Sequence, residues 1–112
     1  MPSSRHRPVR GAIGLRLPAE RVGDVGYWLA SWARGRGVAT RALRLLCAWA
    51  FDSLDLARIQ LHTLPDNDAS QRVAERAGFR REGLLRSWTE MKGRRVDLVM
   101  FSLLPGELTS PR

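Results

Sequence analysis

Apolar residues recur along the chain with two different spacings, and each spacing predicts one kind of element. The strongest periodic signal predicts a helix that begins near Val38 and presents one apolar stripe at the spacing i, i+3, i+4, i+7, i+8 and i+11. The stripe consists of Leu43, Leu46, Cys47, Ala50, Phe51 and Leu54. Since one face of this helix is apolar over its whole length, we expect that face to pack on a sheet.

Alternating apolar and polar residues, bounded by prolines and glycines, predict five strands. They span residues 9–17, 23–30, 58–64, 79–91 and 94–104, and Pro18 and Pro65 end the first and third. Residues 19–24 are expected to form a turn or loop. A short helix after Pro65 is capped by Asp66 or Asn67 and stopped by Gly78. Lys92-Gly93 is a plausible turn between the last two strands.

The predicted order is therefore β-β-α-β-α-β-β. A strand, a helix and a second strand imply parallel pairing, whereas the final hairpin is antiparallel. This pattern predicts a mixed sheet with helices against it, in the α/β class. The length of 112 residues favours one domain, with a basic leader at 1–8, a core at 9–104 and a tail at 105–112.

The composition narrows the class of protein. The net charge of +8 attracts polyanions such as nucleic acid, the ribosome or a phosphorylated cofactor, but no block of five to eight basic residues marks a nucleic-acid patch. The longest apolar run, 45–51, is too short for a membrane span, and no apolar stretch of signal-peptide length follows the basic start. We therefore expect a cytoplasmic protein that does not bind a membrane.

Few residues suit redox or metal chemistry. Cys47 is the single cysteine, which excludes an internal disulfide, and its place on the helical stripe favours a packing role. His6 and His62 are too few and too far apart in sequence to suggest a metal site, so no metal is expected.

The segment 32–40 lies between a predicted strand and the long helix and carries two glycines among arginines. Glycines allow close approach of a ligand, and the unpaired N–H groups of a helix N-terminus bind anions. Several hydrogen bonds of ~1.5–3 kcal/mol each would be needed to hold a diphosphate. The segment lacks the lysine of a P-loop and the full dinucleotide fingerprint. An ordinary tight strand-to-helix loop is the alternative interpretation.

The pattern Arg34-x-x-Gly37-x-Ala39 resembles the pyrophosphate loop of GNAT acetyltransferases. Its surroundings resemble the same superfamily: 26–30 is similar to the strand that takes the pantetheine arm, 66–70 to the second cofactor contact, and 83–86 with 93–97 to the closing hairpin of the Rim-type branch. That branch modifies the N-termini of ribosomal proteins. The resemblance covers most of the chain and implies a GNAT-like fold that binds acetyl-coenzyme A.

The resemblance also implies the residues of the site. Those expected to bind the cofactor are Trp28, Leu29, Ala30, Arg34, Gly35, Arg36, Gly37, Val38, Ala39, Thr40, Asn67 and Ser70. The implied reaction is direct attack of a primary amine on the thioester, the amine belonging to a protein N-terminus or a small molecule.

Two residues are candidates for proton transfer in that reaction. The tyrosine that many relatives use as acid is replaced by Ala74, so Ser70 becomes the candidate donor to the thiolate, with a helix-start residue as the alternative. Asp24 is the candidate base, with a turn aspartate as the alternative. His62 is interpreted as a surface or groove histidine, and Trp28, Trp32, Trp49 and Trp88 as packing residues or groove walls.

Relatives usually carry a strand, two helices and another strand before the point at which this chain begins. A truncated product, a misassigned start and a half-domain completed by another copy are the three explanations. An uncovered first strand predicts a homo-oligomer. Two other functions stay open: a basic RNA- or ribosome-binding module, whose binding would weaken steeply with salt, and a coenzyme-A-binding remnant without turnover.

Overall fold

The computed structural model describes residues 15–25 and 36–108, which form a mixed five-stranded sheet and two helices. In chain order the elements are β1 (Leu15–Ala19), β2 (Val22–Val25), α1 (Arg36–Leu54), β3 (Arg58–Thr63), α2 (Asp68–Arg76), β4 (Arg80–Met91) and β5 (Arg94–Leu103). The predicted order β-β-α-β-α-β-β and the mixed α/β class are confirmed.

The strands lie in the order β1-β2-β3-β5-β4. β2 and β3, which flank α1 in sequence, pair in parallel from Val22↔Arg58 to Val25↔Leu61, and the other three pairs are antiparallel. Within the described ranges, β1 and β4 are the two edges of the sheet. The parallel pair is therefore flanked by β1 on one side and β5 on the other, so side chains of β2 can meet residues of both β1 and β3.

The apolar core fills the space between one face of the sheet and the two helices. The stripe of α1 packs as predicted, with Leu43, Cys47 and Ala50 fully buried and Leu46, Phe51 and Leu54 half-buried against them. Residues of β2, β3, β5 and α2 complete the cluster, among them Val25, Ile59, Leu61, Val73, Ala74, Val99, Phe101 and Leu103. Burying one leucine of this kind stabilises a fold by about 1.5–3 kcal/mol.

The first two strands differ from the prediction. β1 does not end at Pro18 but continues to Ala19, and the register shifts between Arg16 and Ala19. Pro18 is tolerated because it stands on an edge strand at this irregularity, where no ladder N–H is required of it. Residues 9–14 of the predicted strand lie outside the described residues.

β2 begins at Val22, inside the predicted loop 19–24. Parallel pairing with β3 extends the strand through Gly23 and Asp24, residues that disfavour a strand in isolation. A Cβ on Gly23 would lie 2.9 Å from the Leu56 Cδ1 and 3.0 Å from the Leu15 Cδ1, so any larger residue would displace these leucine side chains. Residues 26–30 of the predicted second strand lie outside the described residues.

The remaining elements agree closely with the sequence. α1 begins at Arg36, two residues before the predicted start, and α2 is capped by Asn67. Gly78, at φ +101°, follows the end of α2, as its glycine predicts. Lys92 and Gly93 both adopt positive φ, 52° and 79°, which makes the β4–β5 connection a type I′ turn.

Candidate active site

The residues predicted to bind the cofactor divide into those inside and those outside the described ranges. Trp28, Leu29, Ala30, Arg34 and Gly35 lie outside the described residues. Arg36 and Gly37 are the first two residues of α1, followed by exposed Val38 and fully buried Ala39. Because the Ala39 methyl group packs in the core, this residue can meet a ligand only through its backbone.

Two hydroxyl groups near the helix N-termini are buried without a hydrogen-bond partner among the described residues. They are Thr40 Oγ1 on α1 and Ser70 Oγ on α2. An unpaired buried hydroxyl costs about 1–3 kcal/mol, so such a group is expected to find a partner in the functional state. Both belong to residues that the family resemblance implies for the cofactor site. These hydroxyls therefore fit a ligand that carries hydrogen-bonding groups, such as the pantetheine amides and thioester of acetyl-coenzyme A.

Asn67 fixes the start of α2. Its Oδ1 accepts a hydrogen bond from the backbone N–H of Ser70 at 3.0 Å, which satisfies one of the N–H groups that a helix start leaves unpaired. The amide nitrogen of Gln71 donates to the carbonyl oxygen of Pro65 at 2.9 Å and holds the preceding loop against the helix. The Ser70 hydroxyl takes no part in this cap, although its side chain is fully buried.

Asp24 is buried at 3% exposure on the sheet face opposite the helices. Strand alternation requires this, since Val25 packs in the core and the Cβ position of Gly23 faces Leu56. Its carboxylate accepts one hydrogen bond, from Gln60 Nε2 to Oδ2 at 2.9 Å, and Arg16 lies 3.9 Å from Oδ1. Oδ1 has no hydrogen-bond partner among the described residues. A buried carboxylate with so few partners is a marked feature of a functional site.

A chain of polar contacts orients the amide that meets Asp24. Gln60 Oε1 accepts from Arg58 Nε at 2.9 Å, so its Nε2 is the atom left to donate to Asp24. Arg58 in turn forms two parallel 2.9 Å hydrogen bonds with the Glu82 carboxylate, and Ser102 Oγ also donates to Glu82. These bonds, with Arg58 first, lower the pKa of Glu82 below its ordinary value. Asp24 therefore stands at the end of a fixed network across four strands.

Two irregularities in β4 deliver side chains to this network. Between the pairs Arg81↔Phe101 and Gly83↔Met100, β4 carries one extra residue, Glu82. Between the pairs Leu85↔Leu98 and Thr89↔Val96, β4 has three residues, 86–88, opposite a single residue of β5. β-Bulges of this kind re-aim side chains. The first aims Glu82 at Arg58, and the second includes Trp88.

The second bulge is held by specific bonds. Ser87, at φ +51°, donates its N–H to Asp97 Oδ1 at 2.7 Å, and Arg95 donates to the Ser87 carbonyl at 2.6 Å and to its hydroxyl at 3.2 Å. A positive φ costs a non-glycine residue of order 1–3 kcal/mol, and these three bonds offset it. The ring of Trp88 then stacks on His62, with centroids 6.2 Å apart and planes at 26°.

His62 occupies the position on β3 one residue beyond its last described pair with β2. It is buried at 8% exposure, not on the surface, and its Nδ1 lies 3.7 Å from Asp24 Oδ2. Its Nε2 is buried with no hydrogen-bond partner among the described residues. Burial lowers the pKa of His62 below 6.5; Asp24 opposes that shift, whereas the charges of Arg16 and Arg58 add to it. The ring is therefore neutral at pH 7.

The sequence did not point to the group around His62. The available signal was the polar alternation Arg58, Gln60, His62 on one strand face, opposite Ile59 and Leu61. Asp24 becomes part of that face only through the β2–β3 register, which pairs it with Gln60.

An open cavity of about 690 Å³ lies between the loop after β3 and the β4–β5 hairpin. It is lined by Leu64, Pro65, Asp66, Met91, Lys92, Arg94, Arg95, Val96 and Asp97. Five of these side chains are charged, three of them positively. The cavity is therefore suited to a polar, charged molecule.

Other kinds of site receive no support from the described part of the chain. Among residues 15–25 and 36–108, no cluster of three or more histidines, cysteines or acidic residues could hold a metal ion. None of the helices there combines the length and apolarity that crossing a bilayer requires. Burial raises the pKa of Cys47 to about 12, so its thiol is unreactive at neutral pH.

Residues 3–80 match the family model described as the acetyltransferase (GNAT) domain. YdaF of Bacillus subtilis (strain 168), whose name assigns it provisionally to the ribosomal N-acetyltransferases, is 39% identical over 87 residues. That match takes in 78% of this chain and 48% of YdaF.

Two solved structures share both the fold and part of the sequence. RimJ of Mycobacterium smegmatis, in complex with CoA-disulfide, superposes with a TM-score of 0.72 at 35% identity, over 88% of this chain and 47% of RimJ. The microcin C7 self-immunity acetyltransferase MccE, in complex with acetyl-CoA and AMP, gives a TM-score of 0.66 at 29% identity, over 76% and 47%. The chain thus spans about half the length of these proteins.

Proposed function

Since this chain belongs to the GNAT family of acetyltransferases, we propose that it moves an acetyl group from acetyl-coenzyme A to a primary amine by direct attack. The observation that carries the proposal is the pair of buried hydroxyls of Thr40 and Ser70, which have no partner among the described residues and belong to positions that the sequence resemblance assigns to the co-substrate. The N–H groups at the start of α1 would receive the pyrophosphate, because a helix N-terminus attracts anions.

In the proposed site, backbone and side chains share the binding of acetyl-coenzyme A. Residues 28–30 and 34–40 would hold the pantetheine and pyrophosphate, and Asn67 would add a contact through its amide nitrogen, since its Oδ1 is occupied by the α2 cap. Ser70, with a fully buried hydroxyl, would donate a proton to the departing thiolate. Asp24 would promote loss of the amine proton from the opposite face of the sheet.

The acceptor is proposed to be a protein N-terminus or a small-molecule amine. The name of YdaF favours a ribosomal protein as the acceptor, whereas the complex of MccE with acetyl-CoA and AMP favours a small, nucleotide-sized molecule. The cavity beside the β4–β5 hairpin is the approach we propose, because it is open and carries charges of both signs. A cytoplasmic location fits such substrates.

We further propose that residues 9–104 act as one domain and that the chain associates with itself. β1 is an edge of the described sheet, and Leu17 on it is 58% exposed. An exposed apolar edge is a template for another chain. A second copy would then add a strand beside β1, one strand away from Asp24 on β2.

Calorimetry followed by a thiol-release assay tests the proposal. Acetyl-coenzyme A should bind with a Kd in the micromolar range, about −8 kcal/mol, and release of the free thiol should then depend on an added amine. The amine panel would contain peptides with free N-termini, a polyamine and an aminoglycoside. Binding without release would identify a coenzyme-A-binding remnant. If the protein bound no acetyl-coenzyme A but bound RNA with an affinity that falls steeply with salt, the function would be that of a nucleic-acid-binding module and not of an enzyme.

A further inference from the structure

We propose that the imidazole of His62 is the group that takes the proton from the attacking amine, with Asp24 as the residue that orients and stabilises it; this inference rests on the proposed acetyl transfer. The geometry that supports it is the position of the imidazole ring, which lies between the Asp24 carboxylate and the Trp88 indole. Nδ1 faces the Asp24 carboxylate at 3.7 Å, one ring face meets Trp88, and Nε2 is left without a partner among the described residues.

The contacts of Asp24 favour His62 over the carboxylate as the proton acceptor. Asp24 Oδ2 already accepts the Gln60 amide at 2.9 Å, and that amide cannot turn away because Arg58 holds its oxygen. A carboxylate held in this way is suited to orienting a neighbour. The distance of 3.7 Å to His62 is too long for a hydrogen bond, but catalytic hydrogen bonds are often long before substrate binds. With the proton of the neutral ring on Nδ1 toward Asp24, Nε2 carries the free lone pair.

The protonation state of the ring at neutral pH is the one a base requires. Burial keeps the pKa of His62 below 6.5, and Arg16 of β1 and Arg58 of β3 act in the same direction. Asp24 of β2 opposes them, so the imidazolium that forms during the reaction meets one compensating charge. Met100, opposite on β5, and Trp88 on β4 bring no titratable group.

Access to Nε2 is the remaining requirement. Trp88 is 53% exposed while its ring covers His62, so it forms the side of the site that solvent reaches. Exposed side chains change rotamer on the picosecond to nanosecond scale, which is fast compared with any turnover. The bulge bonded to Asp97 holds the backbone of Ser87, and the proposed route to Nε2 is a rotation of the neighbouring Trp88 indole.

The proposed step balances as follows. The amine nitrogen forms a bond to the carbonyl carbon of the thioester, and the C–S bond breaks with its electron pair on sulfur. The surplus N–H proton passes to His62 Nε2, directly or through one water, and is later released to solvent. The thiolate takes a proton from Ser70, whose hydroxyl is restored from solvent. One proton leaves the amine and one reaches the thiol, with no oxidant or reductant.

Nuclear magnetic resonance of the full chain with ¹⁵N-labelled histidine tests the geometry without any turnover. The chain has two histidines, so His62→Gln assigns the signals. We expect a neutral ring with its proton on Nδ1 at pH 7 and a titration below pH 6.5 that moves lower in Asp24→Asn, since Asp24 raises the pKa of His62. A proton on Nε2, or a titration indifferent to Asp24→Asn, would overturn the proposal.

Kinetics with the best amine of the panel completes the test. His62→Gln, which keeps a polar side chain of similar reach without a base, should lower kcat at least 100-fold and remove the acidic limb of the kcat/KM profile, with the Kd for acetyl-coenzyme A within twofold of wild type. An unaltered rate in a folded His62→Gln protein would refute the role of His62 alone. A wild-type protein that binds acetyl-coenzyme A but acetylates no amine would refute both this role and the proposed function.

Discussion

The backbone N–H of Ser70 donates to Asn67 Oδ1 at 3.0 Å, while the hydroxyl of the same serine has no hydrogen-bond partner among the described residues. The side chain that caps α2 and the side chain proposed to act on the thiolate are therefore different. Ser70→Ala should leave the free energy of unfolding within about 0.5 kcal/mol of wild type, because it removes an unsatisfied hydroxyl. It should lower kcat about 10²-fold or more, with a smaller effect on the Kd for acetyl-coenzyme A.

The matched control is Asn67→Ala. It removes the cap and should destabilise the protein by about 1 kcal/mol in urea unfolding, whereas Ser70→Ala should not. Thiol-release kinetics and calorimetry on both variants separate capping of α2 from proton transfer to the thiolate. A wild-type kcat in Ser70→Ala would show that the hydroxyl has no part in proton transfer.

Gly37, the second residue of α1, is expected to admit the pyrophosphate close to the backbone. Gly37→Val should weaken coenzyme A binding at least tenfold, which is about 1.4 kcal/mol, while the fold survives. Calorimetry gives the Kd, and far-ultraviolet circular dichroism checks the fold. Ala48→Val, which introduces the same β-branched side chain at an exposed position of α1, should bind normally. Equal affinities of Gly37→Val and Ala48→Val for coenzyme A would show that the first turn of α1 does not contact the pyrophosphate.

His62 should make stability depend on pH in a defined window. Its pKa in the folded protein is below 6.5, so the unfolded chain binds its proton more readily. The free energy of unfolding is then fully retained above about pH 6.5 and falls as the pH drops from there toward the folded pKa. Urea titrations between pH 7.5 and pH 5 should show this fall in wild type and a flatter profile in His62→Gln.

Glu82 gives an independent comparison at lower pH. Its hydrogen bonds with Arg58 and Ser102 lower its pKa below 4.5, so its contribution is present above that pH and is lost below it. Glu82→Gln should lower the free energy of unfolding by a constant amount above pH 4.5 and should change its slope against pH only below that value. If His62→Gln left the profile between pH 6.5 and pH 5 unchanged, the ring would have to be solvated in the folded state.

Lys92 and Gly93 form the type I′ turn of the hairpin, and lysine is poorly suited to φ +52°. Lys92→Asn should stabilise the protein by a few tenths to about 1 kcal/mol, because asparagine tolerates this backbone conformation. Lys92→Gln removes the same charge without that preference and should gain less. Thermal unfolding compares the two variants. Equal melting temperatures for Lys92→Asn and Lys92→Gln would show that any gain in stability comes from removal of the charge alone.

Self-association is expected through β1. Sedimentation at micromolar concentration should detect a dimer or larger species, since charge repulsion at +8 is screened over about 8–10 Å and does not protect a contact patch. Leu17→Lys places a charge on the edge strand and should shift the population toward monomer. Leu104→Lys, an exposed leucine beyond the end of β5, is the control. A monomeric wild type would contradict the expected interface.

Local chemistry decided which features the sequence could reveal. The stripe of α1 and the stop at Gly78 depend on residues close in sequence, and both were predicted. The network of Asp24 depends on a partner 36 residues away, Gln60, and on a register that no local pattern encodes. The bulges of β4 escaped prediction for a related reason: an added residue in a long strand changes which face a side chain occupies without interrupting the strand.

The fully buried thiol of Cys47 allows opening of the core to be measured by chemical labelling, with no added probe site. Since Cys47 is the single cysteine and its side chain is buried on the core face of α1, a thiol reagent can modify the chain only while that helix is detached from the sheet. The labelling rate at low reagent concentration therefore measures how often the core opens, in the way that slow amide exchange does for a backbone. A bound co-substrate that bridges α1 and α2 would stabilise the closed core and would therefore lower the rate at which Cys47 is labelled.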